Sequence, residues 1–148
     1  LIMNYVHIAH DCEVGDNCVI ANGVQVAGHV HIGDWVTIGG MSPIHQFVKV
    51  GDHSMIGGGY RINADVPPYV LAANEPLKYS GVNVIGLRRR GFANDDIQKI
   101  KNVYQILFLS GLNLSHAKEK LVAEMSDDKY AVEILRFINS SDRGLIKR

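Results

Sequence analysis

Cysteine is nearly absent. Cys12 and Cys18 are the only two, too few for the disulfide framework of a small secreted domain. A reducing cytoplasm is the simpler setting. Long apolar runs are absent as well. None reaches the roughly 18 residues that a membrane span requires. The opening LIMNYVHIAH has no basic n-region and no cleavage site, so it does not read as a secretory signal. It also lacks an initiator Met and starts inside a pattern, so further residues are expected upstream of Leu1. Net charge is absent: 15 basic residues balance 15 acidic ones, which argues against a general nucleic-acid binder. What remains is 148 residues, 47% hydrophobic and 20% charged, enough to bury a core.

The charge balance hides an asymmetry. Residues 1–70 hold six acids and two bases; residues 71–148 hold nine acids and thirteen bases. Six of the seven histidines precede residue 54. Two segments with different roles are expected.

The first segment is a repeat. An aliphatic residue recurs every six positions from Ile2 through Ile8, Val14, Ile20 and onward to Ile56 and Ile62. Two places earlier runs a second small or apolar set, including Cys12, Cys18, Val24, Ser42 and Ser54. A period of six fits no amphipathic helix, which needs 3.6. It fits short strands separated by turns, the sequence sign of a parallel β-helix. Both cysteines fall in the inward set and read as packing residues. The repeat is expected to end near Ile62, with Asp65-Val-Pro-Pro-Tyr69 stopping it, because prolines cannot donate to a ladder. The expected organisation is a β-helix over 1–70, a glycine-punctuated connecting loop over 71–92 and a C-terminal helical domain over 93–148. Asn94, Ser115 and Asp127 or Asp128 are the expected caps of three helices, the first ending at Gly111.

Three hexads per coil place residues i and i+18 one rung apart, about 4.8 Å. His10 then lies below Gly28, and Gly28 below Gln46; His29 lies between Asp11 and Phe47. His10, His29 and His45 form a strip of imidazoles along one edge. Three readings stand open. The histidines are solvated or packed between trimer subunits. They bind a metal, although no acid or cysteine completes an obvious set. Or one is a general base, since an unperturbed histidine titrates near pH 6.5. Gly28 adds to the third reading, because its backbone N–H is placed to act as an oxyanion donor. The plainer reading of Gly28 is a corner that requires positive φ.

The ordered blocks His7-Ile-Ala-His10-Asp11-Cys12, Ala27-Gly28-His29, His45-Gln46-Phe47, Asp65-Val-Pro-Pro-Tyr69, Gly86-Leu-Arg-Arg-Arg-Gly91-Phe92 and Arg143-Gly-Leu-Ile146 resemble the acyl-[acyl-carrier-protein]–UDP-N-acetylglucosamine O-acyltransferases of lipid A biosynthesis. The resemblance runs along the whole chain. It implies a left-handed parallel β-helix, a homotrimer with sites between subunits, a cytoplasmic location, and no metal or cofactor beyond the phosphopantetheine of the acyl carrier protein donor. By that resemblance His10 is the catalytic base, Asp11 orients it and Gly28 is the oxyanion donor. His7, His29, His45 and Gln46 line the sugar and acyl groove. Asn83, Arg89 and Arg90 hold the nucleotide of UDP-N-acetylglucosamine, and Gly58 sets the acyl-chain length. Ile85 departs from the pattern, standing where many relatives carry an acid, and residues 74–80 also differ. The basic second half suits docking of an acidic carrier protein; capping of the β-helix is the alternative. Two other functions remain: the related N-acyltransferase, with an amine acceptor, and a non-catalytic trimeric β-helix scaffold.

Overall fold

The computed structural model describes all 148 residues. Nine two-residue strands come first: β1 (His7–Ile8), β2 (Glu13–Val14), β3 (Val19–Ile20), β4 (Gln25–Val26), β5 (His31–Ile32), β6 (Thr37–Ile38), β7 (Pro43–Ile44), β8 (Lys49–Val50) and β9 (Met55–Ile56). They stack in parallel as β1-β4-β7, β2-β5-β8 and β3-β6-β9, three faces of a β-helix. The register is i to i+18 throughout: His7 faces Gln25, Glu13 faces His31 and Val19 faces Thr37.

The six-residue aliphatic series fills the interior. Ile20, Val26, Ile32, Ile38, Ile44, Val50, Ile56 and Ile62 are at most 2% exposed, each contributing roughly 1.5–3 kcal/mol of burial. In the first coil Ile2 and Val14 are exposed. The second inward set ties the rungs: the Cys12 and Cys18 thiols donate to the carbonyls of Ala27 and Gly33, both at 3.0 Å.

Each corner between faces is a two-residue turn whose second residue has positive φ. Asp11, Asn17, His29, Trp35, Met41, Phe47 and His53 all lie between +56° and +65°. Side chains there cost about 1–2 kcal/mol. From the second coil onward the cost is offset because each such N–H donates to the rung below, as from His29 to His10, Phe47 to Gly28 and His53 to Asp34. The positive-φ reading of Gly28 is therefore corrected. The left-handed residue of that corner is His29, one position later.

The β-helix also runs further than the sequence suggests. Ile62 bridges to Ile44, Val66 to Val50, and Leu71 and Ala72 pair in parallel with β9. Pro67 and Pro68 do not stop the coil, because Pro68 takes a corner position where no ladder donor is needed; Tyr69 follows at φ +68° and donates to Asp52. Residues 71–92 are likewise not a plain loop. They hold β10 (Val70–Ala73) and β11 (Lys78–Val82), an antiparallel pair, and a short helix α1 (Val84–Arg89).

Three longer helices follow: α2 (Asn94–Leu109), α3 (Leu114–Met125) and α4 (Lys129–Asn139). Two expected caps move. Ala93 precedes α2 without a side-chain bond, leaving Asn94 as the first helical residue, and Asn113 rather than Ser115 caps α3 through the His116 N–H. Asp95 and Asp96 in the first turn of α2 suit its positive end. Asp128 caps α4 by accepting from Tyr130 and Ala131. The tail returns to the coil, where Leu145 bridges Asp65 and Lys147 bridges Lys78, covering strand edges that would otherwise stay open. One continuous hydrophobic cluster joins the coil to the helices.

Candidate active site

The three corners of the coil carry different chemistry. The first stacks His10-Asp11, Gly28-His29 and Gln46-Phe47. The second stacks Asp16-Asn17, Asp34-Trp35 and Asp52-His53. The third stacks Asn22-Gly23, Gly40-Met41 and Gly58-Gly59.

At the first corner His10 Nδ1 lies 2.8 Å from Asp11 Oδ2. An ionised carboxylate only accepts, so this contact places the proton on Nδ1 and leaves a lone pair on Nε2. The hydrogen bond to His10, and then the nearby His29, hold the Asp11 carboxyl below the usual range. Nε2 of His10 points at Gly28: a Cβ added there would lie 2.9 Å from Nε2 and 2.8 Å from Cε1. Only glycine leaves room for this ring.

The N–H of Gly28 has no partner in the chain, although the residue is buried. At the second corner two equivalent N–H groups are satisfied, Asp16 donating to the Asp34 carboxylate at 2.7 Å and Asp34 to that of Asp52 at 2.8 Å. No such carboxylate reaches Gly28. A free lone pair and an unpaired backbone donor thus sit side by side, the pairing that addition of a nucleophile to a carbonyl requires.

His29 meets His10 edge-on at 5.1 Å between ring centres and stacks on Phe47 at 4.7 Å. Its Nε2 is 3.8 Å from Asp11 Oδ2. His10, Asp11 and His29 therefore gather their ligand-type atoms within 4.8 Å of one another. This corrects the expectation that no acid completes a histidine set, and the cause is the corner, which brings residues 18 and 19 apart side by side. The Asp11 oxygen in that set is already the partner of His10. His45 and Gln46 line an adjoining groove of about 460 Å³ with Ala27, Pro43, Ile44 and Arg61. Arg143 from the tail donates to the Gln46 carbonyl at 3.1 Å. His7 lies exposed on β1.

The remaining expected residues lie elsewhere. The face β3-β6-β9, opposite the first corner, carries a cleft of about 620 Å³ with Thr37, Met55 and Leu71 in its wall and Asn83, Ile85, Arg89 and Arg90 along α1. Arg89 is exposed. Asn83 is 8% exposed; its amide caps α1 through the Gly86 N–H and donates to the His53 carbonyl at 2.9 Å. Arg90 reaches His53 Nδ1 at 3.2 Å and lies over the Trp35 ring. Gly58 stands exposed at the third corner.

Sequence reasoning passed over Trp35, His53 and Tyr69, which stack at the second corner. The 18-residue spacing of Trp35 and His53 was the available signal. Tyr69 completes the column out of register, and its hydroxyl donates to Glu133 of α4 at 2.7 Å. Burial pushes the Glu133 carboxyl up.

Comparison with known proteins decides the family. The description "Udp N-acetylglucosamine O-acyltransferase; Domain 2" matches residues 65–146, and a bacterial transferase hexapeptide family matches residues 1–28. An acyl-[acyl-carrier-protein]–UDP-N-acetylglucosamine O-acyltransferase of Burkholderia orbicola is 47% identical over 99% of this chain and 57% of its own length. The chain belongs to the UDP-N-acetylglucosamine O-acyltransferase family. The enzyme of the same name from Paraburkholderia phymatum is 43% identical over 99% of this chain and 57% of its own length. The crystal structure of a UDP-N-acetylglucosamine acyltransferase from Bacteroides fragilis superposes with a TM-score of 0.93 at 45% identity, covering 97% of this chain and 56% of that one. That from Francisella novicida gives 0.94 at 37%, covering 99% and 54%. The chain therefore spans a little over half the length of the relatives it matches. No helix is long and apolar enough to cross a membrane.

Proposed function

We propose that the full-length protein transfers an (R)-3-hydroxyacyl group from acyl carrier protein to the 3-hydroxyl of UDP-N-acetylglucosamine, in the cytoplasm, at the start of lipid A biosynthesis. The observation that carries this reading is the juxtaposition of His10 Nε2 with the unpaired Gly28 N–H. His10 Nε2 takes the proton of the sugar 3-hydroxyl as its oxygen attacks the thioester carbonyl. The carbonyl oxygen gains the negative charge and accepts from the Gly28 N–H. Collapse breaks the C–S bond, and the imidazolium returns its proton to the departing thiolate. Asp11 keeps the ring oriented, with the proton on Nδ1 and the lone pair on Nε2. The phosphopantetheine arrives with the donor, and the reaction calls for no other cofactor.

The reading includes a homotrimer. His10 sits on one corner while Arg89 sits over the opposite face, so one chain cannot present both to one sugar nucleotide. A second subunit would bring its cleft to the first one's corner. Exposed Met41, Phe47 and Trp35 give such packing apolar surface. The test is to assay the full-length protein with acyl carrier protein thioesters and two acceptors, UDP-N-acetylglucosamine and its 3-O-acylated glucosamine derivative, and to weigh it by sedimentation equilibrium. Turnover of the amine acceptor alone would assign N-acyl transfer, and turnover of neither would leave a scaffold. A stable monomer would remove the shared site.

Two expected results concern specificity. Arg89→Ala should raise KM for the UDP-sugar more than it lowers kcat, the mark of lost uniform binding, and leave stability nearly unchanged because the side chain is exposed. An unchanged KM would make Arg89 a solvated surface residue. Gly58→Met should cut activity on long acyl donors while sparing short ones. Its Cβ would meet Gly40 backbone atoms at 3.2 and 3.3 Å, a contact that small shifts relieve. Each excluded methylene costs about 0.8 kcal/mol. Equal losses of kcat/KM at every donor length would make Gly58 a backbone requirement and not a ruler.

A further inference from the structure

His53 makes three kinds of contact with the segment that carries Arg89. Its carbonyl accepts from Asn83 Nδ2 at 2.9 Å, and Asn83 is the N-cap of α1. Its ring Nδ1 lies 3.2 Å from Nη1 of Arg90, which is the C-cap of the same helix. The ring is stacked between Trp35 at 6.2 Å and Tyr69 at 5.5 Å, with Phe92 edge-on at 5.0 Å. One residue therefore grips both ends of a six-residue helix.

We propose that neutral His53 is a positioning residue that holds α1, and with it Arg89 and Arg90, in place for the sugar nucleotide. The proposal rests on the acyl-transfer reading above for the identity of that ligand. A guanidinium can only donate, so the Arg90 contact requires a lone pair on His53 Nδ1 and the proton on Nε2. Protonation turns the acceptor into a donor and sets cation against cation. The groups facing the ring are Arg90 from α1, Asp52 beside it, Asp34 one rung below, and Tyr69, itself bonded to Glu133 of α4. Burial first, and then the Arg90 charge, hold the His53 pKa below the ordinary histidine value, while Asp52 and Asp34 oppose the shift. The sign follows: the ring is neutral at pH 7, and its contribution to stability is present above the ordinary histidine range. That contribution, and the grip on α1, are lost as pH falls through the lowered value.

The informative variant is His53→Phe. It keeps a flat ring and the backbone carbonyl but removes the acceptor. The corner accepts aromatic residues at positive φ, since Trp35, Phe47 and Tyr69 adopt it at +59°, +65° and +68°. In the full-length protein, KM for UDP-N-acetylglucosamine at pH 7 should rise about tenfold, as for loss of one hydrogen bond to a charged group. Values of kcat and of KM for the acyl donor should stay within about twofold. Wild-type KM for the sugar nucleotide should climb as pH falls below the ordinary histidine range, and the climb should vanish in His53→Phe. An unchanged KM at pH 7, or an acid rise that persists in the variant, would overturn the proposal.

A second measurement does not depend on turnover or on the His53→Phe variant. The His53 ring carbon signals, followed by NMR in ¹³C-histidine-labelled protein, should titrate at higher pH in Arg90→Ala than in wild type. An unmoved titration would mean that the two groups are not coupled and would overturn the clamp. If the wild type fails to use UDP-N-acetylglucosamine while this titration shifts as expected, the substrate assignment falls and the His53–Arg90 clamp stands.

Discussion

His10→Ala in the full-length protein should lower kcat by about 10² to 10⁴, the range expected for removal of a general base. The fold should not change. His10 is exposed at a corner, outside the buried aliphatic series, and its backbone carbonyl still accepts from His29. The loss should appear in kcat and in kcat/KM alike, because proton transfer belongs to the transition state. An alanine variant with near wild-type kcat would move the base to another imidazole. His29, which shares Asp11 with His10, is next in line.

Gly28→Ala should lose roughly 10² in kcat/KM while leaving the melting temperature almost unmoved. The backbone at residue 28 is not in the left-handed region, so alanine brings no conformational strain. Its Cβ would instead enter the space of the His10 ring, 2.8 Å from Cε1. The ring must swing away, which separates Nε2 from the backbone donor and strains the bond to Asp11. Misplacement of a reacting group by about 1 Å is enough for a loss of that size. Wild-type activity in this variant would show that the contact between ring and glycine is incidental. Low activity together with a lowered melting temperature would indicate a packing defect in the coil and not a displaced base.

These two expectations differ in how far the sequence alone supports them. That His10 and Gly28 are neighbours follows from the 18-residue coil, and the coil follows from the hexad series. That a methyl group cannot fit between them depends on where the imidazole points. Two facts set that direction: the bond of Nδ1 to Asp11 at 2.8 Å, and the left-handed turn residue after each corner position. The first is implied only by the family resemblance, and the second has no sequence signal here, because the left-handed positions are filled by Asp, His, Trp, Met and Phe as readily as by glycine.

The C-terminal half shows the same division at the level of caps. The change of period after Gly91 was enough to foresee the helices. Asn113 caps α3 in place of Ser115, because nearby polar residues have similar intrinsic preference for the position; at α2 the cap position falls to Ala93, which offers no side-chain acceptor, against that preference. Docking onto the coil decides among them.

What the amino-acid sequence determined by itself was the repeat, the interior residues, the column in which each histidine stands and the family of the chain. All of these depend on periodicity or on residue identity, which are linear properties. The tertiary structure decided what crosses between segments. Pro68 sits at a corner instead of ending the coil. His53 grips Asn83 and Arg90 from 30 and 37 residues away, and Arg143 reaches Gln46 across 97. Such contacts require the hairpin, α1 and the tail to fold back over the coil. Their direction is set by burial of the shared hydrophobic cluster, which has no period in the sequence to announce it.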